Sequence, residues 1–503
     1  MDDETNSGGD WKWFRRGLLG LAAVITIIAL FYAEENARGK HAWNKYRREQ
    51  EAKGERFELK DFIPRPVPDE QNFAMIPFLK PVLQIDPVTH ARLDPAGEKR
   101  AEDFGQNVYS TNAPGNKGVQ WIGRKTKIKD EDWWQALTNS PSEKSPFASR
   151  EEAARAMMAN LEEYGPIMDQ LRAASRLPYC RFNVNYETEP PAGILLPHLA
   201  FVKRMAQTFD YRARAELLLG RTEDALADLK MVFYLAGTMK DEPFLISGLV
   251  SCSMLTMGVQ AIDWGLTNHQ WSEAQLVEIE NTLATVDLLK EYGSNLRGER
   301  ALNLGNIESV RHHYVEILDE NGQFMRFVAK YSPSGFYYRN ELLTARLFEP
   351  LLTPVEGGVG HRVHASELGV AEARMFQELT SGFIGYRWLA KILMPAFGKA
   401  AQRFGRAQVH LDETQVVCAL ERYRLANGTY PASLDALARK FIKALPKDVL
   451  SGADYKYRLE SNGQFVLYSV GWNEKDEGGV TVMNAVGKQI DINQGDWVWG
   501  EMP

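Results

Sequence analysis

A stretch of seventeen uncharged, mainly apolar residues near the start of the chain constrains the fold most. Residues 17–33 read GLLGLAAVITIIALFYA and follow the basic, aromatic flank WKWFRR. With this flank the stretch is long enough to cross a bilayer as a helix. A signal peptide has a similar basic start and apolar middle, but residues 34–37, EENA, are a poor cleavage site. We therefore expect an uncleaved transmembrane anchor at residues 17–33 after a short cytoplasmic tail at residues 1–16.

The charges on the two sides of this stretch point to opposite orientations. Three cations precede it and five follow it within residues 34–48, so the positive-inside rule alone places the following side in the cytoplasm. Large following domains, however, cross a membrane largely regardless of flanking charge. We expect the N-terminus inside and the bulk of the chain outside.

Charge and cysteine content narrow the classes of partner. The net charge of −7 and the isoelectric point near 5.9 argue against nucleic acid, which needs a concentrated basic surface. The three cysteines, Cys180, Cys252 and Cys418, are too few and too dispersed for a disulfide framework or a zinc site. They are expected to be buried free thiols, and one disulfide bond is the alternative in an oxidising compartment.

Residues 34–145 are predicted to be a juxtamembrane helix followed by a proline-rich arm. Seven prolines fall within residues 64–95, and alternate prolines at residues 64–68 favour an extended backbone. Trp121, Trp133 and Trp134 indicate that the arm docks on the next domain, whereas a disordered tether is the alternative.

Residues 146–398 are predicted to form a helical domain built from helical hairpins. Apolar residues recur at three- and four-residue spacing over the stretches 153–164, 196–219, 223–238, 244–264 and 272–292. Residues 244–262 carry no charge and invite a second membrane crossing. Their serines, glycines and glutamine, and the amphipathic neighbouring helices, favour a buried core helix instead.

The histidine clusters of this domain are the basis of an alternative, enzymatic reading. His312 and His313 lie near Glu308 and Glu316, and a second pair, His361 and His364, lies near Glu367. Neither cluster has the spacing of a zinc-protease pair, so a polar surface is the simpler interpretation. There is no nucleophile elbow, phosphate-binding glycine loop or dinucleotide fingerprint.

The last hundred residues carry the clearest pattern. Residues 409–426 have apolar side chains at helical spacing on one face, and Asn427-Gly428 ends the predicted helix. Ser433 is expected to cap a second short helix at residues 434–441. Residues 455–458 and 465–470 then read as the two strands of a hairpin around residues 461–463, SNG.

An acidic, glycine-containing loop follows the hairpin. Residues 472–479, WNEKDEGG, place three carboxylates and an amide close together, which suits a hard cation such as Ca²⁺. An ordinary solvated acidic turn is the alternative, because no complete EF-hand spacing is present.

These motifs resemble the soluble part of the major pseudopilins of type II secretion. The resemblance is carried by the runs ANGTYP, LPKD, YKY, LYSVG, GG and DI, and it covers about a fifth of the chain at residues 399–503. It implies a long helix on a small antiparallel sheet, with calcium in the loop after the last hairpin strand. By position the implied ligands are Asn473, Asp476 and Asp491. Asn473 stands where the family has an aspartate, and residues 480–488 lengthen the loop.

Together these patterns predict a mainly α protein with a C-terminal α+β module. The resemblance places the module outside the cytoplasm, so we expect a single-pass protein of the bacterial inner membrane with a periplasmic body. A pseudopilin leader with its glycine cleavage site and membrane-helix glutamate does not precede the module within residues 1–400. We therefore expect a non-catalytic scaffold with protein partners, linked to a secretion or pilus-like assembly. An envelope hydrolase with its site in the helical domain is the alternative.

Overall fold

The chain forms a mainly helical body with a small antiparallel sheet at its C-terminal end. The computed structural model describes residues 7–84, 86, 89, 91–107, 135, 137, 147–313, 327, 329–356, 362–394, 397–484 and 490–501. The helices are α1 Ser7–Glu51, α2 Lys80–Leu83, α3 Pro95–Asn107, α4 Arg150–Leu161, α5 Gly165–Ala174, α6 Pro197–Leu218, α7 Thr222–Gly237, α8 Leu245–Thr267, α9 Glu273–Leu283, α10 Leu288–His313, α11 Ser334–Glu356, α12 Ala365–Thr380, α13 Trp388–Leu393 and α14 Gly398–Asn427. The fold class predicted from the sequence is confirmed at this level.

Helix α1 is continuous from the apolar stretch into the body. Its first half is long and apolar enough to cross a membrane, and none of that stretch is buried inside the molecule. Its second half packs on α11, where Glu35 is buried against Arg339 and accepts a hydrogen bond from the hydroxyl of Tyr386 at 2.9 Å. The crossing is close because it uses glycines. A Cβ atom on Gly335 would lie 2.0 Å from the carbonyl oxygen of Glu35.

Helices α6, α7 and α8 form the centre of the helical body. Helix α6 packs on α7, and α8 lies against both of them. In α8, 61% of the most apolar window is buried by neighbouring helices, so the prediction of a core helix at this position is confirmed. Each fully buried large apolar side chain contributes about 1.5–3 kcal/mol.

The single helix predicted at residues 272–292 is wrong, because the structure has two helices there. Helix α9 ends at Leu283 and α10 begins at Leu288. The carboxylate of Asp287 accepts the backbone N–H of Lys290 at 2.9 Å, in the manner of a helix N-cap. The backbone N–H of Leu288, at the first position of α10, has no partner within the helix and donates to the side-chain oxygen of Gln408 at 2.9 Å. The apolar spacing runs through the break, so periodicity alone missed it.

Helix α14 is the central element of the C-terminal half. It packs on α8, α9 and α10, and every residue from Ala407 to Thr414 is buried. The helix itself was predicted, but its burial is not confined to the one apolar face that residues 409–426 show. The polar side chains on the other faces are buried because they find partners on neighbouring elements.

The C-terminal sheet follows α14. Gly428 ends the helix with φ of 82°, a left-handed conformation that suits glycine. The strands are β1 Lys456–Leu459, β2 Phe465–Ser469, β3 Thr481–Met483, β4 Ile490–Gly495 and β5 Trp497–Val498. Strand β2 lies between β1 and β5, and β3 pairs with β4; all three pairings are antiparallel. The predicted hairpin is confirmed, whereas the short second helix is a single 3-10 turn at Leu434–Leu437 and Ser433 makes no capping bond.

The described part of the proline-rich arm lies against the helical body. Asn72 forms a backbone bridge with Tyr179, and Phe73, Ala74 and Leu79 are buried in the main hydrophobic core. Trp121, Trp133 and Trp134, on which the docking prediction partly rests, lie outside the described residues.

Candidate functional site

The three calcium ligands predicted in the C-terminal loop have separate partners. Asn473 donates to Glu477 at 2.8 Å. Asp476 accepts from the hydroxyl of Tyr468 at 3.0 Å and pairs with Lys456 at 3.2 Å. Asp491 accepts from the backbone and side chain of Asn493 within its own turn, at 3.0 and 3.1 Å. Within the described ranges no group of three or more acidic, histidine or cysteine side chains is placed to hold a metal. Calcium binding by this loop stays a prediction.

A different aspartate organises the loop. Asp496 is fully buried and accepts backbone N–H bonds from Gly479 at 2.6 Å and from Val480 at 3.1 Å, with a longer bond from Glu477. A buried carboxylate held by several N–H donors is well stabilised. A weak signal for it was present in the sequence, since Asp496 is a single charged residue between Gly495, the last residue of β4, and the buried Trp497 of β5.

The histidine clusters singled out in the sequence lie at the surface where they are described. The side chain of His312 is 58% exposed and lies 3.8 Å from Glu308. His364 lies 3.7 Å from Glu367. His361, Glu316 and the side chain of His313 lie outside the described residues. The two described pairs are long contacts, between exposed groups at His312 and between the half-buried His364 and the exposed Glu367.

The histidines that are buried were not singled out. His410, on α14, lies 2.6 Å from the carboxylate of Asp263 on α8. The same carboxylate accepts from the hydroxyl of Thr414 at 2.7 Å and from the indole N–H of Trp499 at 2.9 Å. Asp263 therefore joins the core helix, the central helix and the chain after β5 in one polar contact.

Two neighbouring carboxyl groups on α14 are buried as well. Burial raises the pKa of Asp412 to about 7, although Gln408 and Tyr455 donate hydrogen bonds to it at 2.8 and 3.0 Å. Burial also raises the pKa of Glu413 well above its usual value, with the nearby Asp448 as the next cause. Neither carboxyl lines a cavity described below, so we assign them to the core and not to a reaction site.

Two adjacent cavities lie where the arm meets the helical body. The first, of about 390 Å³, lies between the extended residues 181–188 and the start of α6. The second cavity, of about 980 Å³, lies between residues 62–67 of the arm, residues 177–181 and helix α7. Ile63 and Arg181 line both cavities. The guanidinium of Arg181 donates through Nε to the carbonyl oxygen of Pro64 at 3.0 Å.

His198 lies in the wall of the first cavity and is held by a buried carboxylate. Its ring stacks on Phe182 at 4.3 Å, and its side chain is 1% exposed. The Nε2 atom lies 2.7 Å from Oε1 of Glu242, at ion-pair distance but without hydrogen-bond alignment. The second oxygen of Glu242 accepts from the hydroxyl of Ser247 at 2.5 Å, and the backbone carbonyl accepts from Asn295 at 2.8 Å.

This arrangement leaves one ring nitrogen for other chemistry. The Nδ1 atom of His198 has no hydrogen-bond partner among the residues that the structure describes. An imidazole oriented by a carboxylate can act as a general base or as a hydrogen-bond partner, but Nδ1 is itself buried, so a ligand would have to pass the wall of the cavity to reach it. The sequence offered no spacing signal for it, since His198 lies on α6 and Glu242 in the connection between α7 and α8.

A thiol lies close to the same carboxylate. Cys180 lines the second cavity, and burial raises the pKa of its thiol, with the charge of Glu242 as the next cause. The thiolate is the reactive form of cysteine, so a raised pKa makes this thiol a poor nucleophile. The three cysteines are free, as predicted.

Comparisons of the chain with known protein families, with curated proteins and with solved structures find no match.

Proposed function

We propose that the chain is a single-pass protein of the bacterial inner membrane. Its body lies outside the cytoplasm and acts as a non-catalytic scaffold for protein partners, and residues 399–503 serve as a pseudopilin-like module linked to a secretion or pilus-like assembly. The observation that carries the proposal is the continuity of α1, whose apolar half is unburied and whose second half is fixed to α11. A body attached in this way is held at the membrane surface without a flexible linker.

Further support comes from the C-terminal sheet. Val480, Val482 and Met483 are 53%, 38% and 50% exposed, so three apolar side chains on and beside β3 are in contact with solvent. Exposed apolar side chains on a short strand are a candidate contact for a protein partner. The loop between β2 and β3, which carries the predicted calcium ligands Asn473 and Asp476, adjoins these residues in the chain.

The topology experiment compares two matched isoleucines in the full-length protein. Ile25 on α1 is 57% exposed, and Ile246 at the start of α8 is 51% exposed. An arginine at the centre of a membrane helix costs about 2.5–3.5 kcal/mol of insertion free energy. We expect Ile25→Arg to release the protein from membranes in alkaline carbonate, whereas Ile246→Arg stays with them.

A reporter that is active only outside the cytoplasm, fused after residue 503, tests the orientation. We expect activity in the wild type and in Ile246→Arg. A second fusion carries a reporter that is active only in the cytoplasm. Activity of this second reporter alone would refute the orientation, and a shortened wild-type protein released from membranes would refute the anchor.

The second candidate function is an envelope hydrolase, favoured by His198 beside its cavity. In that mechanism Glu242 orients the imidazole, and Nδ1 takes a proton from a water molecule that enters beside it as the water oxygen bonds to the scissile centre of the substrate. The imidazolium then returns the proton to the leaving group as the scissile bond breaks. The matched control is His269, which pairs with Glu421 at 2.9 Å on the surface. A hydrolase would lose most of its activity on chromogenic ester, peptide or glycoside substrates in His198→Ala and keep it in His269→Ala. A wild-type protein without activity, or equal activity in both variants, leaves the scaffold as the function.

A further inference from the structure

The aromatic residues at the foot of the body surround the point where α1 leaves its apolar stretch. The ring of Phe31 packs edge-on against Phe336 on α11, with centroids 6.4 Å apart. Next to it, the hydroxyl of Tyr32 donates to the backbone carbonyl of Tyr331. Phe336 in turn contacts Phe383 at 5.5 Å. These contacts place residues 331–336 and 383–386 level with the end of the predicted span.

Three large side chains in this region are unburied. Tyr331, Phe383 and Ile384 are 54%, 55% and 72% exposed, and we call them the apolar foot. Phe383 and Ile384 are adjacent on a turn, and contact of their apolar side chains with water is unfavourable. A soluble surface would be expected to fold them inward.

The turn that carries Phe383 and Ile384 is held in place by hydrogen bonds from helix α11. Asn340 is fully buried on α11, and its side-chain N–H donates to the carbonyl of Gly385 at 3.1 Å. Its side-chain oxygen accepts the backbone N–H groups of Leu389 and Ala390 at 3.1 and 3.2 Å. Gly385 has no room for a side chain, since a Cβ atom would lie 2.5 Å from the ring of Phe383. Phe383 and Ile384 are therefore presented outward by a rigid support.

The chemistry of the foot and its surroundings matches a membrane interface. Tyrosine is enriched where a bilayer meets water, because its ring is apolar and its hydroxyl is polar. Lys330 lies over the ring of Tyr331 at 5.6 Å, and Lys391 is exposed on α13. Long cationic side chains of this kind cover apolar surface and reach headgroups with their charge. The foot is also continuous with α1, the element that would enter the same membrane.

From this position and chemistry we propose that the apolar foot inserts into the boundary between headgroups and acyl chains of the membrane that α1 crosses. The body then lies on the bilayer through a second contact and does not stand above it on α1 alone. The inference rests on the proposed membrane anchoring and adds a lipid-binding surface to it.

The experiment uses the full-length protein in lipid nanodiscs that contain doxyl-labelled lipid, with no other protein present. Cys180 is replaced by serine so that the fluorophore does not react with its half-buried thiol. Cys252 and Cys418 are buried and are kept. A fluorophore is attached to Ile384→Cys, to Leu30→Cys within α1, or to Leu425→Cys. Leu425 is 48% exposed on the last turn of α14, a helix about 45 Å long that begins after the foot.

We expect the doxyl lipid to remove most of the fluorescence at Leu30→Cys and Ile384→Cys and little at Leu425→Cys. Quenching at Leu30→Cys with none at Ile384→Cys overturns the inference and leaves the anchor, and the foot then faces water or a partner protein. No quenching at Leu30→Cys overturns the anchor itself. Phe383→Cys repeats the measurement at the neighbouring position, so that one perturbed label does not decide the result.

Discussion

Replacing Asp263 by alanine should destabilise the whole C-terminal half of the molecule. The carboxylate lies 8% exposed on α8 and is the shared partner of His410, Thr414 and Trp499, with contacts of 2.6–2.9 Å. Alanine removes all three contacts at once. The change leaves polar groups in a core from which water is excluded.

The magnitude follows from the number and kind of groups left unpaired. A buried donor without an acceptor costs about 1–3 kcal/mol, and removing one partner of a buried charged contact costs about 3–5 kcal/mol. The structure can relax around the smaller side chain, so the summed cost of three unpaired donors is an upper bound on the loss of stability. We expect Asp263→Ala to lower the free energy of unfolding by about 3–5 kcal/mol. Asp263→Asn keeps one oxygen for Thr414 and Trp499, so its loss should be about 1–2 kcal/mol.

The assay is urea unfolding of the full-length protein in detergent micelles, followed by far-UV circular dichroism and tryptophan fluorescence. Asp169→Ala is the control, because the Asp169 side chain is 77% exposed beside Arg172, and its effect should stay within about 0.5 kcal/mol. A loss below about 1 kcal/mol for Asp263→Ala would mean that the contact does not join these elements, and the reasoning would fail.

Four further predictions concern other parts of the molecule. The pKa of Asp412 is raised from 3.8 to about 7, so the folded state binds the extra proton and stability should fall as pH rises through that window. Asp412→Asn should remove this dependence, on the order of 4 kcal/mol, and be more stable than the wild type at pH 8 in urea titrations. If the loop binds calcium, the full-length protein should melt at a higher temperature with millimolar Ca²⁺ than with chelator, and Asp491→Ala should remove the difference; an unchanged wild-type melting temperature would exclude the metal. Asp496→Ala should speed hydrogen exchange at Glu477, Gly479 and Val480, because their N–H groups lose a buried acceptor, and unchanged protection would contradict its role in the loop. Gly335→Leu should separate the second half of α1 from α11 and expose residues 34–51 to protease, whereas Gly369→Leu, at an open helical site, should not.

The elements of this fold were largely readable from the sequence because they depend on local chemistry. Apolar spacing gave α6, α7, α8 and α14, and the pair Asn427-Gly428 gave the end of α14. The break between α9 and α10 was missed because Asp287 acts as a cap inside an unbroken apolar pattern. A local polar contact can override periodicity without changing it.

The candidate site was not readable for a different physical reason. His198 and Glu242 meet only because α6 and the segment before α8 are packed together, and that packing is decided by the whole core. In the same way, the sequence shows His410 and Asp412 as ordinary polar positions on an amphipathic helix. Their burial depends on partners that are far away in the chain, such as Asp263 and Tyr455.

The unbroken course of α1 has a mechanical consequence. Because the helix enters the body without a hinge, any change in its tilt within the proposed membrane would become a rotation of the whole body. Helices adjust their tilt to bilayer thickness, commonly by about ten degrees or more. At the far end of a helix as long as α14, a ten-degree rotation is a displacement of roughly 8 Å. If α1 crosses a membrane as proposed, the thickness of the surrounding lipid would thus set the height and angle of the C-terminal sheet above it.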